Sequence, residues 1–568
     1  MKKDTFAYLS ITDILETINK HYATKPALRI KTKEGTFKEL SYIELGQRTV
    51  DVSSSLIKLG IAKNDKIAIL SENRPEWAIA YFAIISCAGI IIPLDIKLTE
   101  KEIQFILNDT QAKIIFVSEK YLGLIEGLRD VFPHLKHIIL LDETPRKDLI
   151  QLKDLKLKEG EKKYLPVSRE DTAMIVYTSG TSGIAKGVEL TYKNLLFQVV
   201  SLSEVVHYTK EDEFLSILPL NHMLEVTGGL IAPLYAGSCI TYASTLKIST
   251  LQSLMKETHP TAMICVPLIL KMFHDAIMKK IQRLSPIKQK IFFLLLAISK
   301  LFLKLNIRIG RLLFKSIHKE FGSILKTFVS GGAPLSLEVE INLNALGFRI
   351  LQGYGLTETA PVISVNTFKY NKFGSVGKPL PEVEVKILKE TLSSSEGEIL
   401  TCGPHIMKGY FKNQEKTKET IKDTWLHTGD IGYIDKQGYL HISGRLKNLI
   451  VLPNGKKIFP EEIESLMLKS PYIKEICILP KTATKGLRKG AEEIYAVIIP
   501  NLDLFKPDER QDTQKIKQKL SKEISCLNKT LSPHKRLIDF EIWPNQALPK
   551  TATNKIKRKL VSDTLIAQ

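Results

Sequence analysis

Residues 177–187 read Tyr-Thr-Ser-Gly-Thr-Ser-Gly-Ile-Ala-Lys-Gly, a run of short hydroxyls, glycines and one lysine directly after the apolar Met174-Ile175-Val176. That composition suits a polyphosphate. Gly180 and Gly183 let backbone N–H groups approach phosphate oxygens, Thr178, Ser179, Thr181 and Ser182 add short donors, and Lys186 adds a positive charge. The loop is expected to grip ATP. Its spacing is not that of a P-loop, because Gly187 and not a hydroxyl follows the lysine. A flexible linker has the same composition, but a linker is rarely bracketed by buried-strand residues and by a helical pattern such as 191–200.

Seven more segments of similar character follow in order: LPLNHMLE (218–225), SGGAPL (330–335), GYGLTET (353–359), WLHTGD (425–430), GRLKNLI (444–450), PEEIE (460–464) and LPKTATNKIKR (548–558). Together with TSGTSGIAKGV (178–188), they resemble the adenylate-forming superfamily of acyl-CoA synthetases, nonribosomal adenylation domains and firefly luciferase. The pairing of LPLNHMLE, GYGLTET and WLHTGDIG is most similar to long-chain fatty acid–CoA ligases.

The resemblance implies a role for each segment. Glu358 maps to the magnesium ligand, with Thr357 on phosphate. Tyr354 and Gly355, with Gly331, Gly332, Ala333 and Pro334, map to the adenine pocket. Asp430 maps to the ribose-binding carboxylate, Arg445 to a second ribose or phosphate contact, and His222 to the junction of the acyl and nucleotide pockets. Lys555 maps to the lysine that steadies charge during adenylation, and Lys447 to a hinge. The implied cofactors are ATP and magnesium, with coenzyme A as co-substrate. Ala185, Asn448 and Asn554 replace the family's usual proline, aspartate and glycine, and none removes a reacting group. Val226 stands where some long-chain members carry an aromatic gate.

These residues need elements to position them. Leu45, Val52, Leu56 and Leu59 share one helical face that Gly60 ends, and the apolar 66–70 follows as a buried strand. Runs at 113–117 and 137–141 continue the rhythm, which predicts an α/β fold with mainly parallel sheets. A helix starting near Pro460 and strands at 476–479 and 495–499 follow, with a turn at 453–455. The resemblance implies a multi-lobed N-terminal domain, 1–446, and a mobile α+β lid, 447–568, hinged at Lys447. The lysine-rich 152–163 reads as a solvated loop.

At 568 residues, 44% hydrophobic and 25% charged, the composition is that of a large globular enzyme. Six scattered cysteines without metal spacing read as reduced, mostly buried thiols of a cytoplasmic protein. No secretion signal is evident in the first residues. Between Glu76 and Asp95 lie 18 uncharged residues, but Gly89 and Pro93 interrupt them, so a helix end, a turn and a buried strand are expected in place of a membrane span. The formal charge is +20, and residues 271–326 hold 13 Lys or Arg against Asp275 and Glu320. This apolar and basic window fits an anionic membrane surface, an acidic acyl carrier protein, or a buried hairpin whose lysines only solvate it. No nucleic-acid motif accompanies the charge. The resemblance implies an ATP-dependent long-chain fatty acid–CoA ligase, and the composition fits one that is cytoplasmic or peripheral on the membrane's inner face. An acyl-[acyl carrier protein] synthetase and a fatty-acid uptake protein that binds without ligating are the alternatives.

Overall fold

A computed structural model describes residues 10–158, 164–179, 185–389, 391, 394–452, 457–482, 492–550 and 556–566. Packing divides the chain into two compact units, one of Met1–Val385, Thr401–Leu426 and Lys436–Leu440, the other of Lys386–Leu400, His427–Asp435 and His441–Gln568.

Two mainly parallel sheets form the first unit. In one, Thr172–Ser179, Ile90–Pro93, Lys66–Leu70, Ile114–Val117, His137–Leu140 and Ile150–Gln151 run parallel in that spatial order, with Ala185–Thr191 and Gly409–Tyr410 added antiparallel at the Thr172 edge. In the other, Pro26–Lys31, Cys239–Tyr242, Glu213–Ser216, Ala262–Cys265, Thr327–Ser330 and Arg349–Tyr354 are parallel neighbours. Strands such as Ile114–Val117 and Ala262–Cys265 are buried along their whole length, which explains their unbroken apolar runs.

The apolar stretch from Trp77 onward is core. Helix Pro75–Ser86 buries every residue except Glu76, and the buried strand Ile90–Pro93 follows. No helix among the described residues is long and apolar enough to cross a membrane. Cys87, Cys239, Cys265 and Cys477 are buried, whereas Cys526 is exposed, since helix Thr513–Asn528 turns only Ile516, Leu520 and Ile524 inward. Within the lysine-rich 152–163 segment, the described residues 152–158 are less solvated than their lysines suggest, and 159–163 lie outside the described residues. Leu152 and Leu155 are buried, and the Arg48 guanidinium donates to both of their carbonyls.

In the second unit, Ile473–Thr482 pairs antiparallel with Glu492–Pro500, which pairs parallel with Asp539–Ile542. Helices Pro460–Met467 and Thr513–Asn528 bury Ile463, Met467, Ile516 and Leu520 in one cluster with Ile476, Ile478, Ile494 and Ile498 of this sheet.

Candidate active site

Thr178 and Lys186 face each other across an antiparallel hairpin. Gly180, Thr181, Ser182 and Gly183 lie outside the described residues, so the structure places only the two stems of this loop. Gly187 permits the close approach, since a Cβ there would lie 2.8 Å from Ile175 Cγ2. The short strand Gly409–Tyr410 adds to the hairpin with Tyr410 opposite Val188. The Lys186 ammonium lies 5.7 Å from the centre of the Tyr410 ring. The Tyr410 hydroxyl donates to Glu358 Oε1 at 2.9 Å. Three segments thus bring a lysine, a phenol and a carboxylate together. Burial, and then the Glu358 charge, raise the Tyr410 pKa, which keeps the phenol protonated as a donor.

One helix steadies this cluster. Thr191 caps helix Tyr192–Val206, exchanging hydrogen bonds with Asn194. Asn194 Nδ2 then donates to the carbonyls of Pro404 and Ile406, both at 2.8 Å, just before Tyr410. The buried Gln198 donates to the Thr359 and Val362 carbonyls at 3.0 and 2.7 Å, just after Glu358. The Met407 amide closes the arrangement by donating to the Glu358 carbonyl at 2.9 Å. Among the described residues no group of three or more His, Cys, Asp or Glu could hold a metal. A lone carboxylate such as Glu358 still fits magnesium, which takes its other ligands from phosphate oxygens and water.

The remaining first-unit residues stand at the carboxyl ends of parallel strands, where open α/β sheets bind ligands. Gly331, Gly332, Ala333 and Pro334 follow Thr327–Ser330, and Tyr354 and Gly355 end and follow the neighbouring Arg349–Tyr354, leading to Thr357. Gly355 admits no side chain, because a Cβ would lie 1.8 Å from the Pro361 carbonyl oxygen. His222 follows Glu213–Ser216, and its Nε2 stands 3.4 Å from Oδ2 of Asp95, which follows Ile90–Pro93 in the other sheet. Burial pushes Asp95 up, but His222, the Lys97 amide and Asn221 outweigh it and hold the carboxyl below its ordinary value. Asn73 fixes the approach to His222, donating to the Leu218 carbonyl and accepting from the Leu220 amide.

In the second unit, the buried Asp430 receives Arg445 Nε at 2.8 Å on Oδ1. The turn before it is built by Thr428, whose hydroxyl donates to the Ile399 carbonyl at 2.7 Å, and by Gly429 at φ +69°. Lys447 lies in the single turn Leu446–Asn448. Asn448 donates from Nδ2 to Glu461 Oε1 at 2.6 Å, a bond that an ionised aspartate could not make. Lys555 and Asn554 lie outside the described residues.

The sequence matches the family described as AMP-binding enzyme over residues 15–411. The chain belongs to this AMP-binding enzyme family. Long chain acyl-CoA synthetase 6 of Arabidopsis thaliana is 30% identical over 473 residues, covering 78% of this chain and 67% of its own. A chloroplastic long-chain-fatty-acid–[acyl-carrier-protein] ligase of the same plant is 26% identical, covering 90% of this chain and 78% of its own. An anthranilate CoA ligase crystallised with anthranoyl-AMP superposes with a TM-score of 0.78 at 22% identity, covering 99% of this chain and 98% of its own. An o-succinylbenzoate CoA synthetase of Bacillus subtilis, crystallised with ATP and magnesium, gives 0.73 at 22% identity, covering 97% and 99%. This AMP-binding enzyme therefore has the acyl-CoA synthetase and luciferase-like fold, and it is an adenylate-forming ligase of the acyl-CoA synthetase type.

Sequence reasoning missed Tyr410, Asp95, Asn73, Asn194 and Gln198 of the AMP-binding enzyme, each of which acts through a contact distant in sequence. It also missed Glu225 as more than the last letter of LPLNHMLE. Glu225 is fully buried. Ser216 Oγ donates to its Oε1 at 2.5 Å, while Oε2 has no hydrogen-bond partner among the described residues. Gly229, one turn further along, leaves room for the acid, since a Cβ there would lie 2.6 Å from the carboxyl carbon and press on it.

Burial pushes the Glu225 acid up to about 8, against about 4.3 for an unperturbed side chain. The folded protein keeps a proton that the unfolded chain releases between those values, so this group's contribution to stability falls as pH rises through that window. Glu225→Gln cannot ionise and should abolish the fall, which is at most about 1.4 kcal/mol per pH unit. Urea midpoints of variant and parent should diverge in the variant's favour from about pH 5 to about pH 8. A pH-independent difference would contradict the neutral buried acid.

Proposed function

We propose that this enzyme activates a long-chain fatty acid with ATP and transfers the acyl group to coenzyme A. In the first half-reaction a carboxylate oxygen attacks the α-phosphorus of ATP, the bond to the bridging oxygen breaks, and acyl-adenylate and pyrophosphate form. In the second, the coenzyme A sulfur attacks the acyl carbon and AMP leaves. The observation that carries this reading is the junction of Lys186, Tyr410 and Glu358 beside the hydroxyl-rich hairpin. Two anions must meet in the first step, so the site must neutralise charge and align the reactants.

Lys186 and Thr178 would bind phosphate, Thr357 would contact it, and Tyr410 would fix the rotamer of Glu358. Glu358 would hold magnesium, which when bound neutralises phosphate charge. Tyr354 and Gly355 would lie against adenine with 331–334 as its wall. Asp430, paired with Arg445, would accept the ribose hydroxyls, because one carboxylate can take two donors. His222, oriented by Asp95, would position the acyl carboxylate. Lys555 would serve adenylation, and Lys447 would be the pivot between half-reactions.

The long-chain preference is supported by the named relatives, and the acceptor distinguishes them. A series of saturated acids from acetate upward, each assayed with coenzyme A and with phosphopantetheinylated acyl carrier protein, tests both. Thioester should form on coenzyme A and rise with chain length. Thioester on carrier protein alone would replace coenzyme A as acceptor, and pyrophosphate release confined to short acids would remove the long-chain assignment.

A further inference from the structure

Helix Pro286–Lys304 carries two apolar faces. The inner one is buried: Phe292 packs its ring edge-on against Phe314 at 5.3 Å, Leu296 is enclosed, and Ser299 Oγ donates to the Ala345 carbonyl at 2.6 Å. Opposite, Ile287, Ile291, Leu294, Ile298, Leu301 and Leu305 recur every three or four residues along a single stripe. All of this stripe but the half-buried Ile298 faces water. Ile287, Leu294, Leu301 and Leu305 are 72, 61, 59 and 66% exposed. Isolated exposed apolar residues need no explanation, but a contiguous stripe along a helix about 28 Å long marks an interaction surface.

Charge says what the surface faces. By helical spacing Lys290 and Lys304 border the stripe on one side and Lys288 on the other, and the helix contains no Asp or Glu. Of the two acids in 271–326, Glu320 is already engaged by Lys256 and Lys280. We propose that the outward stripe of this helix docks on an anionic lipid bilayer, lying in the membrane plane with its lysines among the headgroups. No described helix can cross a membrane, so the contact is peripheral. A second copy would bring the same positive charge to the same face and be repelled. Protein partners favour Tyr, Trp and Arg anchors, and this helix has none.

Two arginines of the basic 271–326 window, Arg308 and Arg311, do not belong to this surface. Arg308 donates to Asn344 Oδ1 at 3.0 Å and Arg311 to the Leu325 carbonyl at 3.1 Å, so both are structural. The variants that test docking therefore leave them alone.

Flotation of the full chain with vesicles of phosphatidylcholine, or of phosphatidylcholine and phosphatidylglycerol in equal parts, reads the interaction. The parent should float with the anionic vesicles only, and high salt should release it, because the Debye length shrinks from about 30 Å at 0.01 M to about 3 Å at 1 M. Lys288→Glu, Lys290→Glu and Lys304→Glu together should lower bound protein at least about tenfold. Ile287→Ser, Leu294→Ser and Leu301→Ser together should also lower it at least about tenfold, by removing the apolar contact. These side chains are exposed, so thermal melting and ATP–pyrophosphate exchange with a short soluble acid should stay at parent values. Vesicle binding unchanged in either variant would overturn the proposal. So would a parent dimer that the serine variant dissolves, or stripe-dependent capture of acyl carrier protein without vesicle binding.

Discussion

Glu358→Gln should slow acyl-adenylate formation by about 10²–10³-fold, the loss expected when one charged group that meets transition-state charge is removed. Glutamine keeps the size of the side chain and can still accept the Tyr410 hydroxyl, while the backbone carbonyl at 358 keeps its bond from Met407. Only the negative charge goes. The thermal midpoint should therefore stay near that of the parent, and the deficit should shrink as magnesium is raised if the carboxylate serves as a metal ligand. Tyr410→Phe leaves the charge but frees the rotamer, so it should cost less, about tenfold. Pyrophosphate release at saturating ATP, titrated with magnesium, checks both variants. A Glu358→Gln enzyme at parent rate would remove this carboxylate from the reaction.

Lys555→Ala should separate the two half-reactions. A lysine that steadies charge on the attacked phosphate acts in adenylation and has no part in thiol attack on the finished mixed anhydride. Adenylation should fall by about 10²–10³-fold. Supplied acyl-adenylate should still pass to coenzyme A at near the parent rate. Equal losses in both assays would show that Lys555 shapes the fold or binds nucleotide in both steps.

Candidate residues that stand in short contiguous segments could be picked out from the sequence. Thr178, Lys186, Glu358, Tyr354 and His222 stand in contiguous segments marked by a glycine, hydroxyl and apolar pattern, although the returning strand Ala185–Thr191 that makes the first of them a hairpin was not expected. The parallel sheets were legible for the same reason, because fully buried strands leave unbroken apolar runs. What positions these residues was not legible. Tyr410 meets Glu358 across 52 positions and Gln198 meets Val362 across 164, and nothing local to either partner signals the pairing. Glu225 reads as an ordinary acid after an apolar run, and only the packing of Ser216 and Gly229 around it reveals a carboxyl held away from water. The apolar and basic pattern of 286–304 was visible, but the sequence left its outward face open among membrane, carrier protein and buried hairpin. The hairpin reading accounts for the buried Phe292, Leu296 and Ser299 but not for the exposed Ile287, Ile291, Leu294, Leu301 and Leu305.

In the proposed reaction a carboxylate oxygen of the fatty acid attacks the α-phosphorus of ATP. Fatty acid labelled with ¹⁸O in its carboxylate, turned over with ATP, magnesium and coenzyme A, tests it by mass spectrometry of the phosphorus products. The predicted result is AMP carrying a single ¹⁸O, with unlabelled pyrophosphate and no ADP. Label in inorganic phosphate with ADP as co-product would mean attack at the γ-phosphorus and would contradict the account.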